Sequence, residues 1–268
     1  MMINLQELCA EVCRIACATG EFQKSERKKF NHSLVEEKSA YNYVSYVDKE
    51  SEQRLVSTLS ALLPGAGFIT EEGTAAHEAD RYNWIIDPLD GTTNYIRNNA
   101  PYCISIALRE GREIILGVVY EICRNECFYS WKGGGGAWIN GEEIMVSGVD
   151  SLSQAFAALG FPYNSEAYKP VALHLIDSLY GSSRGCRLLG SAAVELCYVA
   201  CGRFDARIEA FLSPWDVAAG GFILEQAGGK MSDFSGGDSW TSGKEAAASN
   251  GKLHPAILSL IPRHINIK

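Results

Sequence analysis

The sequence predicts a layered α/β fold, on three observations. The N-terminal part carries apolar residues at helical spacing, and the middle is a run of short apolar segments split by turn residues. The C-terminal half alternates strand-like with helix-like segments. No repeat or low-complexity linker interrupts the 268 residues. The chain therefore reads as one domain over 1–268, with a soft division near residue 150 between a sheet-bearing half and an alternating half.

Taken in order, Leu5, Leu8, Val12, Ile15 and Ala16 fix a helix from residue 4 to about 19, with Asn4 and Glu7 as a capping pair. A second helix is expected from about Lys49 to Leu63, ended by Pro64-Gly65. Strands are expected at 67–70, 84–86, 103–108, 114–120 and 126–131, the last three as an antiparallel meander. The tract Gly133 to Gly136 opens no helix and lacks a following Lys-Ser/Thr, so it reads as a turn between strands rather than a phosphate cradle. The second half then alternates: strand 154–159, helix 166–180, strand 185–188, helix 191–201, strand 203–208, and a helix from Pro214 to Gly228-Gly229. A strand at 245–249 and a helix at 253–261 finish the chain.

Composition excludes several classes. A formal net charge of −8 opposes general nucleic-acid binding, which needs a basic footprint. It does not oppose a phosphorylated substrate, because bound cations invert the charge of an acidic cleft. No apolar run reaches the roughly 20 residues that span a bilayer, and the N-terminus has no leader-like pattern; the expected location is cytoplasmic. Nine irregularly spaced cysteines do not form a secreted disulfide framework. Cys9, Cys13 and Cys17 share a helical face and read as small buried hydrophobes rather than metal thiolates.

The most informative segment is Trp84 to Asn94, WIIDPLDGTTN. An apolar strand runs into a turn bearing Asp87 and Asp90, stiffened by Pro88 and followed by Gly91 and Thr92. Carboxylates on a rigid turn suit a hard cation such as Mg²⁺, and the N–H groups that follow suit a phosphate. Turn capping by Asp87 and Asp90 is the plainer alternative. Ser213-Pro214-Trp215-Asp216 gives the same choice: Asp216 is a capping-box acid, a metal ligand at a helix mouth, or both. Glu71-Glu72 closes a short strand, where acids are often merely solvated.

With these residues in view, the sequence resembles the inositol monophosphatase family. WIIDPLDGTTN at 84–94 and PWDVAAGGFILEQAGG at 214–229 carry the resemblance, joined by TEEG at 70–73 and the segment 187–216. The resemblance implies a five-layer αβαβα sandwich, usually a homodimer, and a magnesium-dependent, lithium-sensitive phosphatase of small phosphorylated polyols. It implies that Glu71, Asp87 and the Leu89 carbonyl bind one magnesium, and that Asp87, Asp90 and Asp216 bind a second. Gly91 and Thr92 would hold phosphate oxygens. Asp48 would help Thr92 orient water and support a third, weaker metal, although Tyr46 and Val47 stand where threonines are common. Gly190, Ser191, Ala192 and Glu209 match positions that contact polyol hydroxyls. Ser191 is equally a helix N-cap, and Glu209 a strand-end charge.

The implied mechanism clamps an in-line displacement between two magnesium ions about 3.5–4 Å apart. Glu71 and Thr92 activate the attacking water, and no phosphoenzyme is needed. Three rivals stand beside it. In the first, Asp87 acts as a nucleophile, although such phosphatases space their aspartates by two rather than three. The second is a fructose-1,6-bisphosphate, adenosine bisphosphate or histidinol-phosphate phosphatase of the same superfamily. The third is a catalytically silent binding protein, against which stands the presence of every implied acid.

Overall fold

The computed structural model describes residues 3–30, 35–39, 42–162, 166–242 and 244–262. Helix α1 (Leu5–Arg27) starts as expected, with the Asn4 side chain accepting from the Glu7 N–H at 3.3 Å. It runs eight residues past the predicted end at 19. A hairpin of β1 (Val35–Ser39) and β2 (Asn42–Ser45) follows, unannounced by any apolar alternation. Helix α2 (Tyr46–Leu62) begins before Lys49, because Ser45 and Asp48 form a capping box.

A seven-stranded sheet comes next: β3 (Gly67–Thr70), β4 (Tyr82–Asp90), β5 (Cys103–Glu110), β6 (Glu113–Glu121), β7 (Glu126–Trp131), β8 (Ala137–Ile139) and β9 (Glu142–Ile144). The strands lie side by side in chain order; β3 and β4 pair in parallel and the others antiparallel. The glycine tract is the turn from β7 to β8, as expected. Helix α3 (Thr92–Arg97) hangs from the end of β4. The second half builds a five-stranded sheet from β10 (Phe156–Leu159), β11 (Gly185–Arg187), β12 (Ala206–Ala210), β13 (Lys230–Ser232) and β14 (Glu245–Ser249). Its order is β11-β10-β12-β14-β13, with β10 parallel to both β11 and β12. Helices α4 (Lys169–Leu179), α5 (Ala192–Ala200), α6 (Pro214–Gln226) and α7 (His254–Leu260) complete the chain.

Three buried clusters show how the elements stack. Leu8, Val12, Leu55 and Leu59 of α1 and α2 pack on Trp84, Ile86, Ile104 and Ile106, one face of the large sheet. The other face, with Ile85, Cys103 and Ala107, packs on α5 and α6, which also cover Ala158, Ala246 and Ala248 of the small sheet. Val171, Leu175 and Ile257 of α4 and α7 close the far side over Ala157, Ile208 and Ala247. The order helix, sheet, helix, sheet, helix is the expected αβαβα sandwich. Alternate residues of each central strand serve different clusters, the period-2 rule for sheets covered on both faces. All nine cysteines are free; Cys9 sits in the first cluster and Cys13 and Cys17 pack against it, as small hydrophobes.

Candidate active site

Asp87 and Asp90 are three residues apart, and in a regular strand residues at odd spacing point to opposite faces. The register shows how this is overcome. Asp87 pairs with Ser105 and Asp90 with Cys103, so three steps on β4 match two on β5. The extra residue is a β-bulge, and it returns Asp90 to the face of Asp87. Pro88, which cannot donate to a ladder, lies inside it. The bulge is held from behind by Gln23 of α1, buried, whose Nε2 donates to the Pro88 carbonyl at 2.7 Å and to Ser51 Oγ at 2.9 Å. This is what the extra turns of α1 deliver. Gly91 then turns with φ +92, and a Cβ there would meet the Pro101 carbonyl at 3.0 Å.

Each acid is placed by a backbone feature. Asp87 Oδ1 accepts from the Leu89 N–H at 2.9 Å. Asp90 Oδ2 accepts from Ser191 Oγ at 2.7 Å and the Ala193 N–H at 2.8 Å, and Oδ1 from the Ala192 N–H at 3.3 Å. Asp90 therefore sits on the first turn of α5. Ser191 is the N-cap residue as predicted, but its hydroxyl serves Asp90 instead of the helix. Asp216 closes the α6 capping box, accepting from the Ser213 N–H at 2.6 Å. Asp48 does the same on α2, with Oδ2 accepting from Ser45 N at 2.8 Å and Ser45 Oγ at 2.6 Å. Its Oδ1 lies 3.0 Å from Thr92 Oγ1, which is also 3.0 Å from the Leu89 carbonyl; either accepts the single hydroxyl proton. Glu71 extends the β3–β4 pairing, its N–H donating to the Ile86 carbonyl at 3.2 Å.

The charges repel. Burial, then Glu71, Asp90 and Asp216, push Asp87 well above the usual carboxylate range. Burial and then Asp90 do the same to Asp216, against the pull of the Ser213 N–H. Asp48 is pushed up to about 6, chiefly by burial, with Glu71 adding to it. Four carboxylates driven together, with Asp87 and Asp90 buried and Glu71 and Asp216 half-buried, require compensating positive charge.

Asp90 and Asp216 line a cavity of about 580 Å³, whose other walls include Gly190, Ser191, Ala192, Glu195 and Glu209. All of the predicted polyol-side residues are therefore gathered at one cavity. Asn94, from α3, donates to the Leu189 carbonyl at 2.7 Å and the Pro101 carbonyl at 2.8 Å, fixing the loop before Gly190. Glu209 is not a free strand-end charge: it pairs with Arg207, which also meets Glu195 at 3.0 Å. Glu195, Arg207, Asn94 and Gln23 were not anticipated. The first two carried a legible signal, a Glu inside the apolar helix SAAVELCYVA and an Arg between the buried Ala206 and Ile208.

The family model for the inositol monophosphatase family matches residues 4–266. The chain belongs to the inositol monophosphatase family. It is 35% identical over 266 residues to a Nus factor SuhB of Pseudomonas aeruginosa, covering 97% of this chain and 98% of that protein. It is 35% identical over 267 residues to a fructose-1,6-bisphosphatase/inositol-1-monophosphatase of Aquifex aeolicus, covering 99% of each. The fold superposes on a Thermotoga maritima IMPase with a TM-score of 0.86 at 31% identity, over 95% of this chain and 96% of that one. A phosphatase of this superfamily is what the family and the site together describe.

As an inositol monophosphatase family site, the donor set fits a hard cation: four carboxylates and the Leu89 carbonyl, with no thiolate or imidazole among them. Among the described residues no three acid, Cys or His side chains form a ready ion cage. Side chains need not close such a cage by themselves, since Mg²⁺ keeps several waters and shares its remaining positions with substrate phosphate. Nor is any helix of the described residues long and apolar enough to cross a membrane.

Proposed function

We propose that this chain is a magnesium-dependent phosphomonoesterase that hydrolyses an inositol monophosphate or a similar small phosphorylated polyol. The observation that carries this reading is the convergence of Glu71, Asp87, Asp90 and Asp216, whose mutual repulsion raises the pKa of Asp87 and of Asp216, beside a cavity lined by Gly190, Ser191 and Glu209. Glu71, Asp87 and the Leu89 carbonyl would hold one Mg²⁺, and Asp87, Asp90 and Asp216 a second. When bound, the cations supply positive charge facing the phosphate and a more acidic water.

The protein's own groups do the rest. Thr92, by giving its proton to Asp48, turns a lone pair of Oγ1 toward a water and orients it for attack. Glu71 accepts the proton that this water loses. The N–H groups at Gly91 and Thr92 hold phosphate oxygens, and the wall at Gly190–Ala192 and Glu209 aligns the leaving oxygen, which takes the P–O bond electrons and then a proton from solvent. Hydrolysis then needs no covalent phosphoenzyme.

The test is phosphate release from a panel of esters by the full chain with and without Mg²⁺. Mg²⁺-dependent release led by an inositol monophosphate is expected. Release that survives a chelator, or a phosphorylated aspartate trapped at Asp87, removes this mechanism.

A further inference from the structure

Behind the cavity wall lies a buried charge array. On β12, Ala206, Ile208 and Ala210 face α4 and α7, so Arg207 and Glu209 face α5. Arg207 has no exposed surface. Its Nε donates to Glu195 Oε2 at 3.0 Å and its Nη2 to Glu209. Nη1 has no partner among the described residues. Glu195 uses its other oxygen to accept from the Leu189 N–H at 2.8 Å. Gly160 leaves the space that the Glu209 carboxylate fills, because a Cβ there would collide with it. One cation thus orders both Glu209 and the loop that carries Gly190.

We propose that Arg207 is a positioning residue that sets leaving-group selectivity, holding Glu209 as a fixed acceptor so that the wall takes an uncharged, hydroxyl-bearing leaving group and disfavours one with a second phosphate. The proposal rests on the phosphatase reading above. Its basis is charge and burial. Among the described residues that line the cavity there is no Lys, Arg or His. Arg207 is enclosed and shared by two carboxylates, so the wall is a net acceptor and Arg207 cannot reach a ligand's phosphate. Hydroxyl donors complete such a wall, whereas a second phosphate dianion meets like charge. A planar guanidinium with donors on separate edges holds both acids in a fixed geometry; a lysine's compact, rotatable ammonium does not fix it.

The test uses the full chain with Mg²⁺ and three esters: an inositol monophosphate, fructose 1,6-bisphosphate and p-nitrophenyl phosphate. Arg207→Lys is expected to raise KM for the inositol ester about tenfold with kcat nearly unchanged, as for a loosened charged hydrogen bond. Aryl hydrolysis should change less than about threefold, and the preference for monophosphate over bisphosphate should shrink. Adding Glu209→Ala should cost no more on the inositol ester than Glu209→Ala alone, since Arg207 acts through Glu209. Equal losses on all three esters, or additive losses in the double variant, overturn the proposal. If R207K fails to fold, Glu195→Gln, which removes a partner's charge and keeps its shape, gives the same split or overturns it. A wild type inert on every ester removes the phosphatase reading and this role with it; an active wild type with no split removes only the role.

Discussion

The large sheet and the small sheet each bring acids to the same cavity, but in opposite electrostatic condition. Around Asp87, at the end of β4, the neighbours Glu71, Asp90 and Asp216 all raise its pKa. Around Arg207, on β12, Glu195 and Glu209 are drawn to a cation inside the protein. Glu195 is pushed up by burial, to about 7, with Arg207 opposing. The first group has no cation until positive charge arrives from outside; the second carries one as soon as the chain folds. The first is thus built to bind and the second to hold shape.

Substitutions should tell the two apart. The largest effect expected is on the group that carries its own cation. Arg207→Met leaves Glu195 buried and unpaired and should cost about 3–5 kcal/mol, read as a lower urea midpoint with an unchanged m-value. Little loss would mean that the array is not the internal prop described. On the other group the sign reverses. Asp87→Asn should lower kcat by about a hundred- to a thousandfold, while the metal-free protein melts at the same temperature or higher because repulsion is relieved. A lower melting temperature in the absence of metal would break the contrast.

Next in size, Mg²⁺ should stabilise the wild type by about 2.7 kcal/mol at a hundredfold excess over its Kd, and Asp87→Asn far less. Equal shifts by calorimetry would place the cation elsewhere. The smallest effect lies far from the cavity. His254 is buried between Ser232 Oγ at 2.9 Å and Ser249 Oγ at 3.0 Å. Burial, then Lys230, lowers its pKa. The neutral ring favours the fold, so its contribution is full above about pH 6.5 and is lost as pH falls from there through the folded value. His254→Gln should flatten that loss of stability below about pH 6.5; an unchanged slope assigns it to other groups.

Much of this was legible in the sequence because it is local. The caps at Asn4 and Ser213, the turn at the glycine tract and the alternating second half follow from neighbours in the chain. What escaped is set by partners distant in sequence. Helix α1 continues through Gly20, which resembles a stop, because a Cβ there would strike the Tyr120 ring. The segment 35–45 gathers its apolar residues at Val35 and at 40–44, with the charged run 36–38 between, so no steady alternation reveals a pairing. Ser45-x-x-Asp48 was a readable capping signature, yet the expected start at Lys49 passed over it. Asp87, Asp90 and Asp216 were legible as candidate ligands on their turns, and Glu71 chiefly through the resemblance; the shared face of Asp87 and Asp90 comes from a bulge that spacing alone argues against.

That bulge makes the chain unusually sensitive to length at one point. Losing a single residue between Asp87 and Asp90 would barely shorten the strand and would leave every later pairing intact. It would leave the two carboxylates on one face by plain alternation, but it would take away the bulge, whose Pro88 carbonyl Gln23 anchors and whose Leu89 carbonyl lies 3.0 Å from Thr92 Oγ1. A one-codon deletion there should therefore harm activity more than the same deletion in the turn at 133–136, which carries none of the candidate site residues.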